Sequence, residues 1–507
     1  MQAPSNTTKP LALLLCAACL SSGVTSRAEA QFVQGYRING RLAPQVQPNP
    51  IASELQGQLA GLQSDLEARS KSATLQQSIE AALLNNPDLA VAYAQIQGSE
   101  WNLIAVRRQW YPTLNVTSST IPRQNFSATR VSGSETTNTS FYTNTTASGM
   151  TVSLAWTFFN PSRGPAINAA SESLRRQQLL FDVSARNLVL SVQENYFLLQ
   201  EYQQLINAYK EILSNTDRQV KLAEAAFNNG IVSIADVEQI RTQQYSTITT
   251  LVATYGQMLI SAAQLAQAMA LPSGTLVLPA DSLKTVGSWS EPMPETIAQA
   301  LRLREEIQAS LAAADSASWS ASSLFNTYWP RFSLGAVAGA DRSDITRSSS
   351  GQASTTSTSL NWNGGVGLGF SWQLFDGGIS AANAQATQAM ASQFLQQAAS
   401  NRLTVTREVE QAYSAYLTSK LGLLSTNAQA LAARQAVIAV QARFDVGVTD
   451  MATVVQTLNQ ALVAANAYAT AVRSYNIAVA SLYRFSARWP EGTQAPLQQR
   501  TNSLRQQ

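Results

Sequence analysis

The chain has 507 residues, of which 13% are charged and 45% hydrophobic, and its formal net charge is +3. The charged share is about half of that in an ordinary globular protein. The sequence contains no histidine, which excludes a Ser-His-Asp triad, a Cys-His pair and a His-ligated metal. The small net charge also argues against a nucleic-acid binder, whose basic excess is usually far larger.

The first 30 residues carry the pattern of a secretory signal peptide. A basic residue precedes a short apolar run, Leu11–Leu20, and an A-x-A cleavage site ends at Ala30. The run is shorter than the stretch of about 20 apolar residues that spans a bilayer. An alternative is lipid attachment at Cys19 in place of cleavage after Ala30. In either case the chain is predicted to be exported.

Three landmarks of the first half of the chain recur in the second half, in the same order and 216 to 218 residues later. The pairs are Tyr111-Pro112 with Trp329-Pro330, Ala155–Phe159 with Ser371–Phe375, and Phe227–Gly230 with Phe444–Gly447. A repeat at nearly constant spacing predicts two structurally similar halves.

The repeat and the proline-rich stretches define the predicted domain boundaries. Residues 74–272 and 294–488 form repeats 1 and 2, each containing a helix, a β-hairpin, a long helix and a short helix. The other predicted segments are a signal peptide, an N-terminal arm or linker, a connector and a polar C-terminal tail, at 1–30, 31–73, 273–293 and 489–507.

Each half contains stretches in which apolar residues alternate with small or polar ones. From Leu360 to Leu374, every even position is apolar or Gly and every odd position is Asn, Gly, Ser or Gln. This period of two predicts strands with one apolar face, arranged as β-hairpins at 111–159 and 329–375. The segments 122–147 and 341–359 are rich in Ser, Thr, Asn, Gly and Arg and are predicted to be loops.

Aromatic residues gather at the strand ends nearest the helices. They are Trp110, Tyr111, Trp156, Phe158, Tyr328, Trp329, Trp372 and Phe375. These ends are expected to lie at one level, as in the aromatic girdle of a membrane barrel. An ordinary sheet with one solvated face also alternates, but it does not explain the girdle. The sequence therefore favours membrane strands.

Two long segments almost without helix breakers follow the hairpins, at about 165–228 and 379–446. At 1.5 Å per residue, helices of this length extend for roughly 100 Å. Their apolar residues recur in a 4-3-4-3 spacing, seen best in 188–213 and 417–431. A sustained seven-residue repeat predicts coiled-coil packing.

Further helices are predicted on either side of these segments. They are 75–109 and 296–328 before the strands, and 233–270 and 453–484 after the long helices. Gly230 and Gly447 are expected to end the long helices in the left-handed conformation. The connections that follow them are short, so the helices after the tips should return antiparallel.

Four strands in one chain cannot close a barrel, and an open edge in lipid leaves backbone groups unpaired at several kcal/mol each. Small membrane barrels need about eight strands, so the barrel must be shared among chains. The sequence thus predicts a membrane α+β fold. A dimer or larger assembly is required, and three copies would give a 12-stranded β-barrel, with four strands per protomer, continuous with a long α-helical coiled-coil barrel.

These motifs resemble the TolC family of outer-membrane efflux proteins. The resemblance rests on Tyr-Pro before a strand, on Trp-x-Leu-Phe-Asp-Gly-Gly at 372–378, and on Phe-x-x-Gly followed six residues later by Asp236 or Thr453. It implies an outer-membrane exit duct that extends into the periplasm and passively conducts the substrates of a tripartite efflux pump or type I secretion system. The implied partners are two further copies of the chain, outer-membrane lipid, a periplasmic adaptor and an inner-membrane pump of the RND, ABC or MFS type. It implies no cofactor and no nucleic acid.

The resemblance also implies a gate at the periplasmic tips of the helix hairpins. The gate positions are Asp236, Gln239, Thr453 and Gln456. Asp445, Asp450 and Arg443 are candidate substitute charges, and the alternative for each is a solvated tip residue. Family members carry further acids at these positions, so this gate is expected to be less acidic. The tips expected to bind the adaptor comprise Phe227, Asn229, Gly230, Ile231, Val232, Phe444, Asp445, Gly447, Val448 and Thr449. An alternative for the apolar tip residues is a hydrophobic staple that closes each hairpin.

Other classes of exported protein share part of this pattern. A trimeric coiled-coil structural or adhesin-like protein explains the long helices but not the two hairpins with their girdle. A plain porin needs many more strands in one chain. The sequence carries no P-loop, metal-ligand cluster or paired-carboxylate motif, so it predicts no enzyme, and it leaves the exported substrate open.

Overall fold

A computed structural model describes residues 50–132, 138–349 and 352–506. The predicted signal peptide, Cys19 and residues 31–49 of the predicted arm lie outside the described residues. The helices are α1 (Pro50–Arg69), α2 (Leu75–Asn85), α3 (Pro87–Arg108), α4 (Arg163–Asn228), α5 (Ile234–Ala268), α6 (Met293–Leu303), α7 (Glu305–Phe325), α8 (Ile379–Asp445), α9 (Met451–Phe485) and α10 (Gln494–Gln506). The strands are β1 (Ser70–Ala73), β2 (Thr113–Ser132), β3 (Asn138–Phe159), β4 (Leu276–Pro279), β5 (Arg331–Ser349) and β6 (Thr355–Ser371).

The hairpins of the two halves combine into one antiparallel sheet with the strand order β2-β3-β5-β6. The register sets apolar positions opposite one another, as in the row Leu154, Ala336 and Val366. Opposite residues share one face of a sheet, so the apolar side chains of all four strands form one continuous band. Within the described chain, β2 and β6 each keep one edge without a strand partner.

The strands are longer than the alternating pattern predicts. β2 and β3 stay paired as far as Ser132 opposite Asn138, and β5 and β6 as far as Arg347 opposite Thr355. The predicted loops at 122–147 and 341–359 are therefore wrong. These outer strand segments carry mainly polar residues on both faces and show no alternation, but their many threonines are β-branched and suit a strand.

The first helix of each repeat is divided in two. Between α2 and α3, Asn86 is extended and its side chain accepts a hydrogen bond from the Asp88 N–H, while Pro87 takes the first helical position. Between α6 and α7, Arg304 is extended and its guanidinium is held by ion pairs. The predicted continuous helices 75–109 and 296–328 are therefore wrong at these two points.

The chain outside the two repeats is also structured. Residues 50–73 of the predicted arm form α1 and β1, and β1 pairs in parallel with β4 of the connector. The buried Tyr196 hydroxyl of α4 hydrogen-bonds to the Asp281 carboxylate at 2.9 Å and lies 3.1 Å from the Ala73 carbonyl oxygen. These bonds anchor β1 and the connector to the long helix. The predicted polar tail contains α10.

The two long helices, α4 and α8, have 66 and 67 residues, which corresponds to roughly 100 Å each. α4 packs against α3, α5, α7 and α9, and α8 packs against α7 and α9. Near the sheet, the Ser323 hydroxyl of α7 donates to the Ser162 carbonyl at the start of α4, at 2.8 Å. The strands therefore lead directly into a helical rod.

The heptad stripes of α4 and α8 have opposite environments. On α4, Val192 and Leu199 are fully buried within one chain. On α8, Leu421 is 69% exposed and Leu424 is 68% exposed. The other members of that stripe, also exposed, are Leu417, Ala428 and Leu431. One chain therefore covers its first stripe and leaves the second uncovered.

A cluster of buried charges joins the two halves where α4, α7, α8 and α9 meet. Its ion pairs are Arg186 with Glu305, Arg304 with Glu306 and Glu408, and Arg484 with Glu306. Burial alone would raise the pKa of Glu306, but hydrogen bonds and charges from Arg304 and Arg484 outweigh it and lower that pKa to about 2. Removing one partner of such a network costs about 3–5 kcal/mol, because it leaves a buried charge uncompensated.

Asp182 lies beside this cluster, one turn before Arg186. Burial and the charge of Glu305 raise the pKa of Asp182 from 3.8 to about 6, against the opposing charge of Arg186. In this window Asp182 binds more protons in the folded chain than in the unfolded chain, so its contribution to stability falls as pH rises from about 4 to about 6. We predict that Asp182→Asn removes this loss, on the order of 2 kcal/mol. Thermal unfolding in detergent, followed across that pH range, checks this, and an unchanged pH dependence in the variant would contradict it.

Candidate functional site

Each long helix ends in a glycine turn at the end of the rod remote from the sheet. Gly230 and Gly447 both have φ of +73° and end their helices as the sequence predicts. The hydrogen bonds that close the turns run from the Ile231 N–H to the Ala226 carbonyl and from the Val448 N–H to the Arg443 carbonyl, both 2.9 Å. A left-handed Gly with this six-to-one bond is the Schellman motif, which satisfies carbonyls at the helix end.

The helices that return from the tips begin with related caps. The Ser233 hydroxyl accepts a hydrogen bond from the Asp236 N–H, and the Asp236 carboxylate accepts one from the Ser233 N–H at 2.9 Å. In the second half, the Asp450 carboxylate accepts from the Thr453 N–H at 2.9 Å, and hydrogen bonds from Thr453 lower the pKa of Asp450. Three of the predicted gate residues, Asp236, Asp450 and Thr453, thus stabilise helix starts.

The other paired gate positions, Gln239 and Gln456, lie together. Both are exposed and line one groove of about 980 Å³ between α5, α8 and α9. The wall from α8 is formed by small residues, among them Ala432 and Ala436, and the described lining of the groove carries no charged side chain. Arg443 is exposed on the last turn of α8. This groove therefore presents amides beside small apolar groups.

A shared apolar cluster holds the two helix hairpins together next to the tips. Its buried members from the returning helices are Val237 and Ile240 of α5 with Met451, Val454, Val455 and Leu458 of α9. Phe227 and Phe444 pack against this cluster. These two predicted tip residues therefore contribute to hairpin packing.

The remaining predicted tip residues lie around the two turns. Ile231 is 75% exposed and Val448 is 63% exposed, while Val232 and Thr449 are half-buried. Two polar ones bond within their own helix: Asn229 donates to the Ala225 carbonyl, and Asp445 accepts from Gln441. Each tip thus exposes an aliphatic side chain, next to a polar side chain that is hydrogen-bonded within its own helix.

Arg241 is a buried charge near the first tip that the sequence analysis missed. Its guanidinium donates to Glu224 at 2.8 Å and to Glu238 at 2.9 Å. The ion pair with Glu238 could have been predicted from the sequence, because Glu238 lies three residues earlier on the same helix. Glu224 lies across the hairpin, and only the fold reveals it. Bonds of this kind fix α5 against α4 beside the tip.

The aromatic girdle lies where the strands meet the helices. The Trp156 indole N–H donates to the Trp110 carbonyl, and the Trp372 indole N–H donates to the Tyr328 carbonyl, both at 2.8 Å. These two bonds occupy equivalent positions in the two repeats, and both indole rings remain partly exposed, Trp156 at 37% and Trp372 at 51%. The other exposed girdle rings are Trp110, Tyr111, Phe158, Trp329 and Phe375, and Tyr328 is half-buried. An apolar ring with a satisfied polar edge suits a membrane interface.

Arg163 and the girdle residue Tyr328 fix the turns between strand and helix. The Arg163 guanidinium lies 4.5 Å from the centre of the Trp110 ring and donates to the Thr157 carbonyl at 2.9 Å. The Tyr328 hydroxyl donates to Asp376 at 2.6 Å, and the same carboxylate accepts from the Gly378 N–H. The girdle is therefore bonded to the starts of α4 and α8.

Residues 50–132, 138–349 and 352–506 contain no group of three or more acidic, Cys or His side chains that could hold a metal ion. No helix in this part of the chain has both the length and the apolar composition that a bilayer crossing needs.

Comparisons with known proteins agree with this geometry. The sequence profile of the outer membrane efflux protein family matches residues 78–271 and 296–488. The Campylobacter jejuni outer membrane channel CmeC is 16% identical, with a TM-score of 0.67 and 92% of this chain and 98% of that chain covered. The outer-membrane channel OprN is 20% identical (TM-score 0.66; 83% and 94% covered), and the Vibrio cholerae outer membrane protein VceC is 17% identical (TM-score 0.63; 81% and 96% covered). A search of curated proteins found no match.

The family match falls into two segments, which correspond to the two repeats. The solved structures share the fold in which a sheet continues into long helices, and they are channel proteins rather than enzymes. The predicted family resemblance and the predicted localisation are confirmed. The chain belongs to the outer membrane efflux protein family and lies in the outer membrane, with its helices extending into the periplasm.

Proposed function

We propose that this protein is the exit duct of a tripartite efflux pump or a type I secretion system. The observation that carries the proposal is the direct continuation of the sheet into the helices, because β3 leads into α4 and β6 leads toward α8. A pore enclosed by such strands continues between the helices without a break. The duct conducts passively, and its specificity is set by an inner-membrane pump of the RND, ABC or MFS type.

The duct is a homotrimer with a 12-stranded barrel. Two independent features support this assembly. First, β2 and β6 each have one edge without a partner strand in the described part of the chain, and a closed barrel is the arrangement that pairs such edges in lipid. Second, the stripe around Leu421 and Leu424 is uncovered at a different level of the molecule. Neighbouring protomers that pair β6 with β2 bring a second helical surface against α8.

We predict that Leu424→Glu breaks up the trimer, because it buries an unpaired charge at each of three helix contacts, at a cost of about 3 kcal/mol each. Ser425→Glu is the matched control, since it adds the same charge at the adjacent exposed position outside the stripe. Light scattering of both detergent-purified variants should give a monomer for Leu424→Glu and a trimer for Ser425→Glu. Trimers in both samples would refute this contact.

The gate of the duct lies at the periplasmic tips. Gln239 and Gln456 line one groove, which supports a joint role in the constriction. Asp236 supplies a negative charge there, and three copies around one axis crowd like charges and attract cations. The capping bonds of Asp236 give it a structural role as well, so a test must separate charge from capping.

We predict that Asp236→Asn lowers the preference of the open channel for cations by about twofold, because the amide retains an acceptor but loses the charge. Single-channel currents in planar bilayers measure this preference. Asp88→Asn, at the start of α3, is the control for removal of an acid away from the tips. A wild-type protein that forms no pores would contradict the duct, whereas equal cation preference in all three proteins would contradict only the role of Asp236.

The tips also bind the periplasmic adaptor. Ile231, Val446 and Val448 support this, since they expose aliphatic surface. The backbone of the two turns already forms its hydrogen bonds within the chain, so this surface is free to contact a partner. We predict that Asn229→Cys forms cross-links to the adaptor in intact cells, whereas Gln396→Cys, exposed near the sheet end of α8, does not. Equal cross-linking of the two cysteines, or none at several tip positions, would reject the tip as the docking site.

A further inference from the structure

The outer ends of the strands hold a pocket that neither the duct nor the gate uses. Phe126 lies opposite Asn144, which lies opposite Thr346. Two pairs further out, Ala128, Tyr142 and Ser348 are aligned in the same way. Since opposite residues share a face, these six side chains form one surface. They line a pocket of about 230 Å³ together with Ser127 and Thr143.

The pocket lies on the same face of the sheet as the apolar band. On β3, Asn144 and Met150 are an even number of residues apart, so their side chains point to one side. The pairing of β3 with β5 runs from Phe141 to Trp156 without a register shift, which keeps this assignment intact. The pocket is therefore an outward continuation of the surface formed by Met150, Val152 and Leu154.

The pocket lies just beyond the hydrocarbon layer. An apolar band about 25 Å tall, crossed by strands tilted at about 40°, uses about ten residues of each strand. On β6, the apolar positions run from Phe370 to Leu360. Thr356, which lies opposite Thr346, is four residues further out, or roughly 13 Å along the strand. This is the level of the headgroups in the outer leaflet.

The side chains of the pocket have the chemistry of a sugar site. Phe126 is 75% exposed and Tyr142 is 57% exposed, in surroundings that are otherwise polar. Beside them, the Asn144 Oδ1 atom is buried and has no hydrogen-bond partner among the described residues. An exposed aromatic face can stack on the C–H face of a sugar ring, while amides and hydroxyls bond to its hydroxyl groups. None of the described residues that line the pocket is charged, which favours a neutral sugar over a phosphate.

We propose that this pocket binds a neutral sugar of the glycolipid headgroups that surround the channel in the outer leaflet. The inference rests on the proposed barrel, because the barrel turns this face of the sheet toward lipid. A free oligosaccharide has the same chemistry, but the continuity of the pocket with the lipid-facing band favours the lipid-attached sugar. A trimer carries three such pockets, and each binds a headgroup sugar of the outer leaflet at the outer surface of the barrel.

The test measures the affinity of three probes for the detergent-purified full-length channel. The probes are lipopolysaccharide, its lipid portion after removal of the sugars, and the released oligosaccharide. Wild type should bind lipopolysaccharide more tightly than either part. Tyr142→Ala should weaken that binding about tenfold, to the level of the sugar-free lipid. Phe141→Ala is the matched control, since it removes the neighbouring aromatic ring on the opposite face.

A second pair of variants tests the amide. Asn144→Ala should weaken binding of lipopolysaccharide, whereas Thr145→Ala, one residue on and facing the other side, should not. Equal affinity in Tyr142→Ala, Phe141→Ala and wild type overturns the proposal, as does equal loss in both variants. Binding of the free oligosaccharide as tight as that of lipopolysaccharide overturns the lipid source. Light scattering of the same samples separates two failures: a trimer without sugar binding refutes this pocket alone, and the absence of a trimer refutes the proposed duct as well.

Discussion

The need to pair every backbone N–H and C=O group inside the membrane governs the rest of this structure. Among the described residues, the sheet has four strands and two open edges, at β2 and β6. In lipid, each unpaired group at such an edge costs several kcal/mol, and no water is present to relieve it. In the proposed barrel, other copies of the chain continue the sheet and pair these edges. The pore, the helical duct and the gate of the proposed function all depend on that closure.

The same constraint explains why the two homologous halves differ. The stripe on α4 is buried within its own chain, whereas the stripe around Leu421 on α8 is exposed. A repeat that formed a self-sufficient unit would bury both. In a shared assembly, one half provides the interior of the protomer and the other half provides contacts with a neighbour. The buried cluster around Glu306 then holds the two halves together where the sheet meets the rod.

Local patterns in the sequence predict much of this molecule. Alternation gives the membrane strands, heptad spacing gives the long helices, and Gly230 and Gly447 give the tips, because each depends on a few neighbouring residues. The outer strand segments were not predicted, because both of their faces are mainly polar and no apolar alternation marks them as strands. The break at Arg304 depends on the ion pair with the distant Glu408, and the ion pair of Arg241 with Glu224 depends on how a hairpin closes. At the tips, sequence patterns located Asp236 but not its bond to Ser233, although the capping-box spacing was present.

The most direct measurement of this constraint is the detergent-corrected mass, by light scattering, of the mature protein extracted from outer membranes. Closure of the barrel among chains predicts three protomers per particle, since three copies of a four-stranded sheet give twelve strands. A stable monomer would mean that β2 and β6 leave their edges unpaired in lipid. That result would contradict the shared barrel and the duct that depends on it.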